Sequence, residues 1–447
     1  MNSIEPLEPR SMLAGVTLLA HGYQGSIRGW VEAAADAINQ RLGGEGSIYI
    51  LRVAESSSGA LAVDSFTRES GPAVDAGARA EYIIKLDWTD VDGGAFSTAE
   101  VGAVVSNYLL TYQDGQRALA ELPMHLVGHS RGASLTTDIA QRLGKRGVWV
   151  DHVTNLDPHP VDGHEDFLDL DFDDTPMHTW ANVTFADNYW RTDGEVNNFD
   201  FDGEPVAGAH EGDLNNSVQQ DFDGSAHMAV TAYYHGTIDL TATSNINHAV
   251  KDGWYANPER DATGYAFARL GGTARPTDGL RAEFGGAAPR EDPGRSGAQW
   301  PNIGDVQVLG STTVIIGDKI PLRYKRQDHD GNLKVDLFLD RDQNPFNANN
   351  VRAISRVSYP ADPAFTVTRV NGSTADIEPG RYWVQAKISD DGGRTSFAYS
   401  RRITFNAPPG ASAMAASANA FAQSSSRSTE RDEHPGERAL TLVESLV

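Results

Sequence analysis

The feature that most constrains this chain is residues 124–132, which read MHLVGHSRG. The apolar beginning predicts a short buried strand, and residues 133–143 carry apolar side chains at helical spacing. The pattern Gly-x-Ser-x-Gly therefore falls at a predicted turn from a strand into a helix. Such a turn lifts the Ser130 hydroxyl above a sheet, while the flanking glycines remove side chains that would clash. We interpret Ser130 as a nucleophile and the backbone N–H of Arg131 as a donor to a reacting oxyanion.

A second strand-to-helix turn follows residues 16–20, which are apolar and predict a buried strand. The strand ends in His-Gly-Tyr-Gln-Gly at residues 21–25, and a helix with apolar residues at every fourth position is predicted after it. A glycine turn of this kind can be an ordinary connection between a strand and a helix. Beside a nucleophile turn, it can also place a backbone N–H, here that of Tyr23, against the reacting carbonyl oxygen.

Two aspartates follow predicted strands and are candidates for the acid that orients a catalytic base. Asp157 follows the strand predicted at residues 148–156, and Asp187 follows the strand predicted at residues 182–185. Because ligands of open α/β sheets bind at the carboxyl ends of the strands, Asp157 is expected at the same edge as Ser130. An aspartate before a proline is also a common turn former. Asp187 therefore stays open as the alternative acid.

A serine hydroxyl is a poor nucleophile unless a base removes its proton, so a histidine downstream of the acid is required. His227 opens a predicted helix and is favoured over His235, which lies further along the same segment. His129 lies inside the nucleophile turn, but its ring cannot easily turn back onto the hydroxyl of the next residue. Each of these histidines can also be a structural residue.

Composition limits the class of protein and its partners. The chain has 447 residues with 61 acidic and 37 basic side chains, and its net charge of -24 argues against nucleic acid and anionic membranes as partners. A neutral ester or lipid is compatible with that charge. The absence of cysteine excludes disulfides, thiolate zinc sites and a cysteine nucleophile. The acidic segments match no calcium-loop register, so no metal site is expected.

The N-terminal residues carry only weak targeting information. The longest apolar run there, residues 12–20, is too short for a transmembrane helix and lacks the shape of a signal peptide. Residues 7–13, which read LEPRSML, resemble a short motif near the start of some large secreted or surface proteins of bacteria. This resemblance favours an extracellular or cell-surface location.

The chain is predicted to contain two folded units with flanking segments. Strand–helix alternation predicts an α/β domain at residues 14–284, with a mostly parallel sheet and helices on both faces. Its acidic insertions with isolated aromatic residues suit either a cover over a pocket or solvated loops. A series of short strands predicts an immunoglobulin-like β-sandwich at residues 300–406. The flanking segments are a leader at 1–13, a linker at 285–299 and a disordered tail at 407–447.

Four features together resemble the α/β-hydrolase lipases, and especially their pancreatic-lipase-like branch. They are residues 20–23 (AHGY), 128–133 (GHSRGA), 155–160 (NLDPHP) and His227. The resemblance covers roughly residues 14–250 and implies a doubly wound, mostly parallel α/β sheet. The chain lacks the disulfides of the animal lipases, and their usual lid is not recognisable.

Carried over residue by residue, the resemblance implies that Ser130 is the nucleophile, Asp157 the acid and His227 the base. The N–H groups of Tyr23 and Arg131 would form the oxyanion hole. The expected function is hydrolysis of a small-molecule or lipid carboxylic ester through an acyl-enzyme, without a cofactor. The alternatives are another serine hydrolase, such as a carbohydrate esterase or a peptidase, and a non-catalytic surface protein that retains the hydrolase fold. The β-sandwich is expected to be a spacer or a cell-surface attachment module.

Overall fold

The computed structural model describes residues 15–73, 81–111, 118–163, 170–192, 202–215, 226–245, 248–255, 260, 263–267, 288–290, 301–328, 331–341, 345 and 350–409. The leader predicted at 1–13 lies outside these residues. So do most of the predicted linker and the predicted tail from residue 410 onward.

The first half of the chain forms an eight-stranded mixed sheet. Its strands are β1 (Val16–Ala20), β2 (Ser47–Glu55), β3 (Leu61–Ser70), β4 (Tyr82–Asp87), β5 (Met124–His129), β6 (Val150–Leu156), β7 (Val183–Trp190) and β8 (His210–Asp213). They lie in the order β3-β2-β4-β1-β5-β6-β7-β8. Neighbouring strands are parallel, except that β2 and β3 pair antiparallel at one edge. The strands that carry the candidate site, β1, β5 and β6, are therefore adjacent and run in the same direction.

Helices cover this sheet, and alternate residues of β1 and β5 enter different cores. The α-helices of the described residues are α1 (Trp30–Arg41), α2 (Thr98–Leu109), α3 (Arg131–Lys145) and α4 (Ala226–Ile238). Helices α2 and α3 share one core with Leu18 and Leu126. Helices α1 and α4 share the other core with Leu19 and Val127. Short 3₁₀ turns lie at Leu119–Glu121, Asp252–Trp254 and Gly264–Phe267.

The predicted fold class, a doubly wound α/β fold, is wrong for this chain. The protein is mostly β-sheet, with 41% strand and 20% helix, and it has four α-helices in its described residues. An α-helix follows β1, β4, β5 and β8, whereas no α-helix is described between β2 and β3, β6 and β7, or β7 and β8. The resemblance to the α/β-hydrolase lipases implied the doubly wound fold and is corrected with it. Strands and helices alternate around β1, β4 and β5, but not in the segments from β2 to β3 and from β6 to β8.

Two local predictions also differ from the structure. Residues 55–80 are rich in Ser, Gly and Ala, which predicts a loop, but β3 lies within them and forms a hairpin with β2. Its half-buried Leu61, Val63 and Phe66 pack against the core, and these are too few to stand out as a strand in a polar sequence. The strand predicted at residues 182–185 extends to Trp190, so Asp187 lies inside β7 rather than at its end.

Nine further strands lie between residues 302 and 406. They are β9 (Asn302–Val308), β10 (Thr313–Ile315), β11 (Lys319–Asp328), β12 (Leu333–Asp340), β13 (Arg352–Tyr359), β14 (Asp362–Ser373), β15 (Gly380–Asp390), β16 (Thr395–Tyr399) and β17 (Ile403–Asn406). One sheet contains six of them and the other has the order β14-β11-β9. Both sheets contribute to one core, which includes Leu322 and Leu337. This arrangement is compatible with the predicted immunoglobulin-like sandwich.

The described part of the predicted linker pairs with the eight-stranded unit. Pro289 forms an isolated antiparallel bridge with Trp180, and Arg290 N donates to Thr179 O over 2.7 Å. Among the described helices, none is long and apolar enough to cross a membrane. The described His, Asp and Glu side chains include no group of three or more that could hold a metal ion.

Glu211 is a buried carboxyl group on the edge strand β8. Its two oxygens accept hydrogen bonds of 2.8 Å from Asn188 Nδ2 and from Val206 N. Burial outweighs these bonds and raises the pKa of Glu211 to about 8. The folded protein therefore favours the protonated carboxyl more than the unfolded chain does.

This preference makes stability depend on pH. The unfolded chain releases the Glu211 proton near the ordinary pKa of 4.5, whereas the folded chain keeps it up to a pKa of about 8. The stabilising contribution is present below pH 4.5 and is lost as pH rises toward 8. Glu211→Gln cannot ionise, so we expect its Tm relative to wild type to rise between about pH 5 and about pH 9. Thermal unfolding across that range measures this difference.

The matched control is Glu45→Gln, because Glu45 is exposed. Its Tm difference from wild type should stay nearly constant over the same range. A Glu211→Gln difference that is equally flat would contradict the proposed burial of a neutral carboxyl group.

Candidate functional site

The turn after β5 holds Ser130 in a strained conformation. Ser130 has φ 55 and ψ -132, a backbone region that residues other than glycine rarely adopt. Its N–H donates to Leu156 O over 3.0 Å, which ties the turn to the end of β6. Helix α3 begins at the next residue, Arg131. The predicted strand–turn–helix context of Ser130 is therefore present.

Two glycines allow the turns after β1 and β5 to approach each other closely. A Cβ atom on Gly22 would lie 2.6 Å from Ser130 Cβ, and one on Gly132 would lie 2.3 Å from His21 O. Neither position can accept a side chain without movement of the opposite backbone. The contact brings Tyr23 beside Ser130, and both residues line the same cavity. Arg131 N belongs to the first turn of α3, where N–H groups have no partner within the helix.

Asp157 and His227 form a direct contact. His227 Nδ1 lies 2.6 Å from Asp157 Oδ2, and both side chains are buried. Asp157 directly follows β6, its N–H donates to Tyr189 O over 2.7 Å, and its Oδ1 accepts from Arg191 N over 2.9 Å. The carboxylate is thus anchored by the neighbouring strand while its second oxygen faces His227. The strands bring together an acid and a base that are 70 residues apart.

Asp187 lies in a different environment, inside the sheet. Its Oδ1 accepts from Thr154 Oγ1 over 2.6 Å and lies 2.8 Å from His152 Nε2. Its Oδ2 accepts from Tyr189 OH over 3.1 Å. The Asp187 side chain is fully buried among these groups, and the described contacts place His152 rather than His227 beside it. The geometry therefore favours Asp157 as the partner of His227.

A cavity of about 290 Å³ opens beside Ser130 and His227. Its walls are largely aromatic and apolar. They include Tyr23, Trp30, Val161, Leu170, Phe172 and Met228. Leu170 and Phe172 belong to the acidic segment for which a pocket cover and solvated loops were both considered, and these two side chains line the pocket.

Three histidines of the cavity, His21, His129 and His159, were not assigned a role from the sequence. His129 directly precedes Ser130, and His159 follows Asp157 by two residues. His159 Nδ1 lies 2.9 Å from Asp202 O, and its ring centroid is 6.4 Å from that of His227. Their positions beside predicted catalytic residues were the available signal, but the sequence does not show which way each ring points. His235 lies in the third turn of α4, outside the set of residues that line this cavity.

The Arg131 side chain fixes the segments around the cavity. Its guanidinium forms two bonds to the Asp174 carboxylate, Nε to Oδ2 over 2.7 Å and Nη2 to Oδ1 over 2.8 Å. It also donates to Asp92 O and Phe96 O over 2.7 Å each, and it lies 4.8 Å from the centre of the Phe172 ring. Arg131, the residue after Ser130, thus holds the segment that carries one cavity wall.

Because this ion pair is fully buried, we expect removal of one partner to be costly. Arg131→Met leaves the Asp174 carboxylate without its counter-charge, and we expect unfolding free energy to fall by about 3–5 kcal/mol. Urea unfolding followed by tryptophan fluorescence measures the loss. The double variant Arg131→Met/Asp174→Leu should recover part of it, since no unpaired charge remains.

An exposed ion pair provides the control. Arg52 bonds to Asp90, and both side chains are about half exposed. We expect Arg52→Met to change the unfolding free energy far less than Arg131→Met does, because water screens the exposed pair. Equal losses for Arg131→Met and Arg52→Met would contradict the bracing role of Arg131.

Comparisons with known proteins assign neither a family nor an activity to this chain. No protein-family model matches this chain, and no curated protein matches it. A Niemann-Pick type C2 protein from the Japanese carpenter ant is 8% identical, covers 25% of this chain and 95% of its own, and has a TM-score of 0.18. The superoxide reductase neelaredoxin from Ignicoccus hospitalis is 14% identical over 24% of this chain and 81% of its own, with a TM-score of 0.17.

A third similarity is to the PKD domain of a peptidase from a Thermoplasmatales archaeon. It is 16% identical over 24% of this chain and 93% of its own, with a TM-score of 0.16. TM-scores this low support no inference about fold or function. The resemblance to the α/β-hydrolase lipases is contradicted by the mostly β fold, and no family model or curated protein supports it.

Proposed function

We propose that this protein is a serine esterase that hydrolyses carboxylic esters through an acyl-enzyme. The observation that carries the proposal is the 2.6 Å contact between His227 Nδ1 and Asp157 Oδ2, on a cavity that His227 and Ser130 both line. Asp157 can orient the imidazole and stabilise its protonated form. A hydroxyl, an imidazole and a carboxylate are the groups that nucleophilic acyl transfer requires.

In the proposed reaction, His227 Nε2 accepts the proton of Ser130 as Ser130 Oγ attacks the ester carbonyl carbon. The N–H groups of Tyr23 and Arg131 stabilise the negative charge that develops on the carbonyl oxygen. When the tetrahedral intermediate collapses, His227 gives its proton to the leaving alcohol and the acyl-enzyme remains. Water activated by His227 then releases the carboxylic acid and restores the Ser130 hydroxyl.

The cavity supports an ester with an apolar acyl group as the substrate. Trp30, Phe172 and Met228 offer aromatic and apolar surface in the cavity that contains Ser130. Its volume of about 290 Å³ suits a small ligand better than a folded polypeptide. The net charge of -24 disfavours polyanionic substrates, so a small-molecule or lipid ester without negative charge fits best.

The proposal predicts covalent labelling of Ser130. A fluorophosphonate probe reacts with a serine that a neighbouring base activates, so we expect wild type to be labelled and Ser130→Ala to remain unlabelled. Mass spectrometry of the labelled peptide locates the modified residue. With p-nitrophenyl esters of increasing chain length, we expect turnover to be highest for short or medium acyl groups.

The same panel separates the alternatives. Turnover of acetylated sugars or of amides in preference to p-nitrophenyl esters would indicate a carbohydrate esterase or a peptidase. A wild-type protein that is neither labelled nor active on any member of the panel would support a non-catalytic surface protein.

The assignment of the acid predicts a difference between two isosteric variants. We expect Asp157→Asn to lower kcat by about 10⁴-fold, because the amide cannot stabilise the His227 imidazolium. Asp187→Asn changes an equally buried carboxylate that bonds to His152 and Thr154, so its kcat should remain within about tenfold of wild type. Circular dichroism of both variants serves as the folding control. The reverse order of kcat values would make Asp187 the acid.

A further inference from the structure

We propose that His129 is a positioning residue that holds the base His227 in place relative to Ser130. His129 is the last residue of β5 and directly precedes Ser130. Its Nε2 lies 3.0 Å from the carbonyl oxygen of His227, and the two ring centroids are 4.4 Å apart. The inference rests on the proposed esterase function and adds a residue outside the Ser130, Asp157 and His227 set.

His227 is held at two separate points. Asp157 Oδ2 contacts the Nδ1 atom of its ring, and His129 contacts its backbone oxygen. The second contact acts on the first turn of α4, which begins at Ala226. Along this path, one peptide bond joins Ser130 to His129, and one hydrogen bond joins the His129 side chain to the backbone of His227. A movement of the β5 turn therefore carries Ser130 and His227 together.

The hydrogen bond requires a proton on His129 Nε2, and burial favours the neutral form of the ring. A carbonyl oxygen only accepts, so His129 Nε2 must carry the proton that is donated. Burial lowers the pKa of His129 well below its usual value, and the neighbouring His227 lowers it further. Neutrality also suits the reaction, because a positive charge on His129 would oppose the imidazolium that forms on His227.

The His129 ring is confined between two partners. The Trp30 ring meets it edge-on, with centroids 5.9 Å apart and an interplanar angle of 65°. The plane of the His227 ring makes an angle of 45° with the plane of the His129 ring. Only 3% of His129 is exposed, so packing holds the ring with its Nε2 atom toward the carbonyl oxygen of His227.

Two substitutions separate hydrogen bonding from packing. His129→Phe keeps an aromatic ring but has no donor, whereas His129→Gln keeps an N–H donor on a neutral side chain. We expect His129→Phe to lower kcat about 10–100-fold with KM within about threefold of wild type. We expect kcat of His129→Gln to stay within about fivefold of wild type. A matched control is His125→Gln, which alters a buried histidine at the other end of β5 and should leave kcat and KM nearly unchanged.

Proton NMR of the full chain gives a second readout that does not require activity. The Nδ1 proton of His227, shared with Asp157, should give a downfield resonance that disappears in His227→Ala. We expect this resonance to persist in His129→Gln and to shift or broaden in His129→Phe. Equal kcat values for the Phe and Gln variants, whether both normal or both low, would overturn the positioning role.

Failure of the two proposals can be distinguished. If the wild type shows neither labelling nor ester turnover, the esterase function fails and the NMR comparison alone decides the role of His129. A His227 resonance unchanged in His129→Phe would then overturn the role of His129 as well.

Discussion

The candidate site depends on the direct contact between the backbone turns that follow β1 and β5. Gly22 and Gly132 lack side chains where a Cβ atom would lie 2.6 Å from Ser130 Cβ and 2.3 Å from His21 O. This contact explains why two segments more than 100 residues apart act as one unit. It also holds Ser130 at φ 55, a conformation that persists only where the surroundings impose it.

Contacts between buried polar groups hold the other segments of the site in place. The Arg131–Asp174 pair has no exposed side-chain surface and joins α3 to the segment that carries Phe172. A buried pair of this kind adds little net stability, but loss of one partner is expensive, so it holds neighbouring segments in one arrangement. Asp157 and Asp187 are both buried carboxyl groups. Their partners, His227 for one and His152 for the other, distinguish their roles.

The strands between residues 302 and 406 determine the fold class of the whole protein. Nine strands build two sheets around a core of their own, and together with the mixed eight-stranded sheet they make the chain mostly β. Strand–helix alternation was a sound description of the segments around β1, β4 and β5. It failed for β3 and for the stretch from β6 to β8, where polar connections contain no described α-helix. The role of the sandwich in attachment stays a prediction.

The sequence by itself determined the local environment of Ser130. An apolar run, a Gly-x-Ser-x-Gly turn and a helical pattern are short-range features, so Ser130 could be recognised from its neighbours along the chain. Only the tertiary structure placed Asp157 rather than Asp187 beside His227, placed Phe172 on the cavity wall, and brought the His129 ring against the carbonyl of His227. Those contacts join distant segments through strand order and side-chain direction, and neither property can be read from local periodicity.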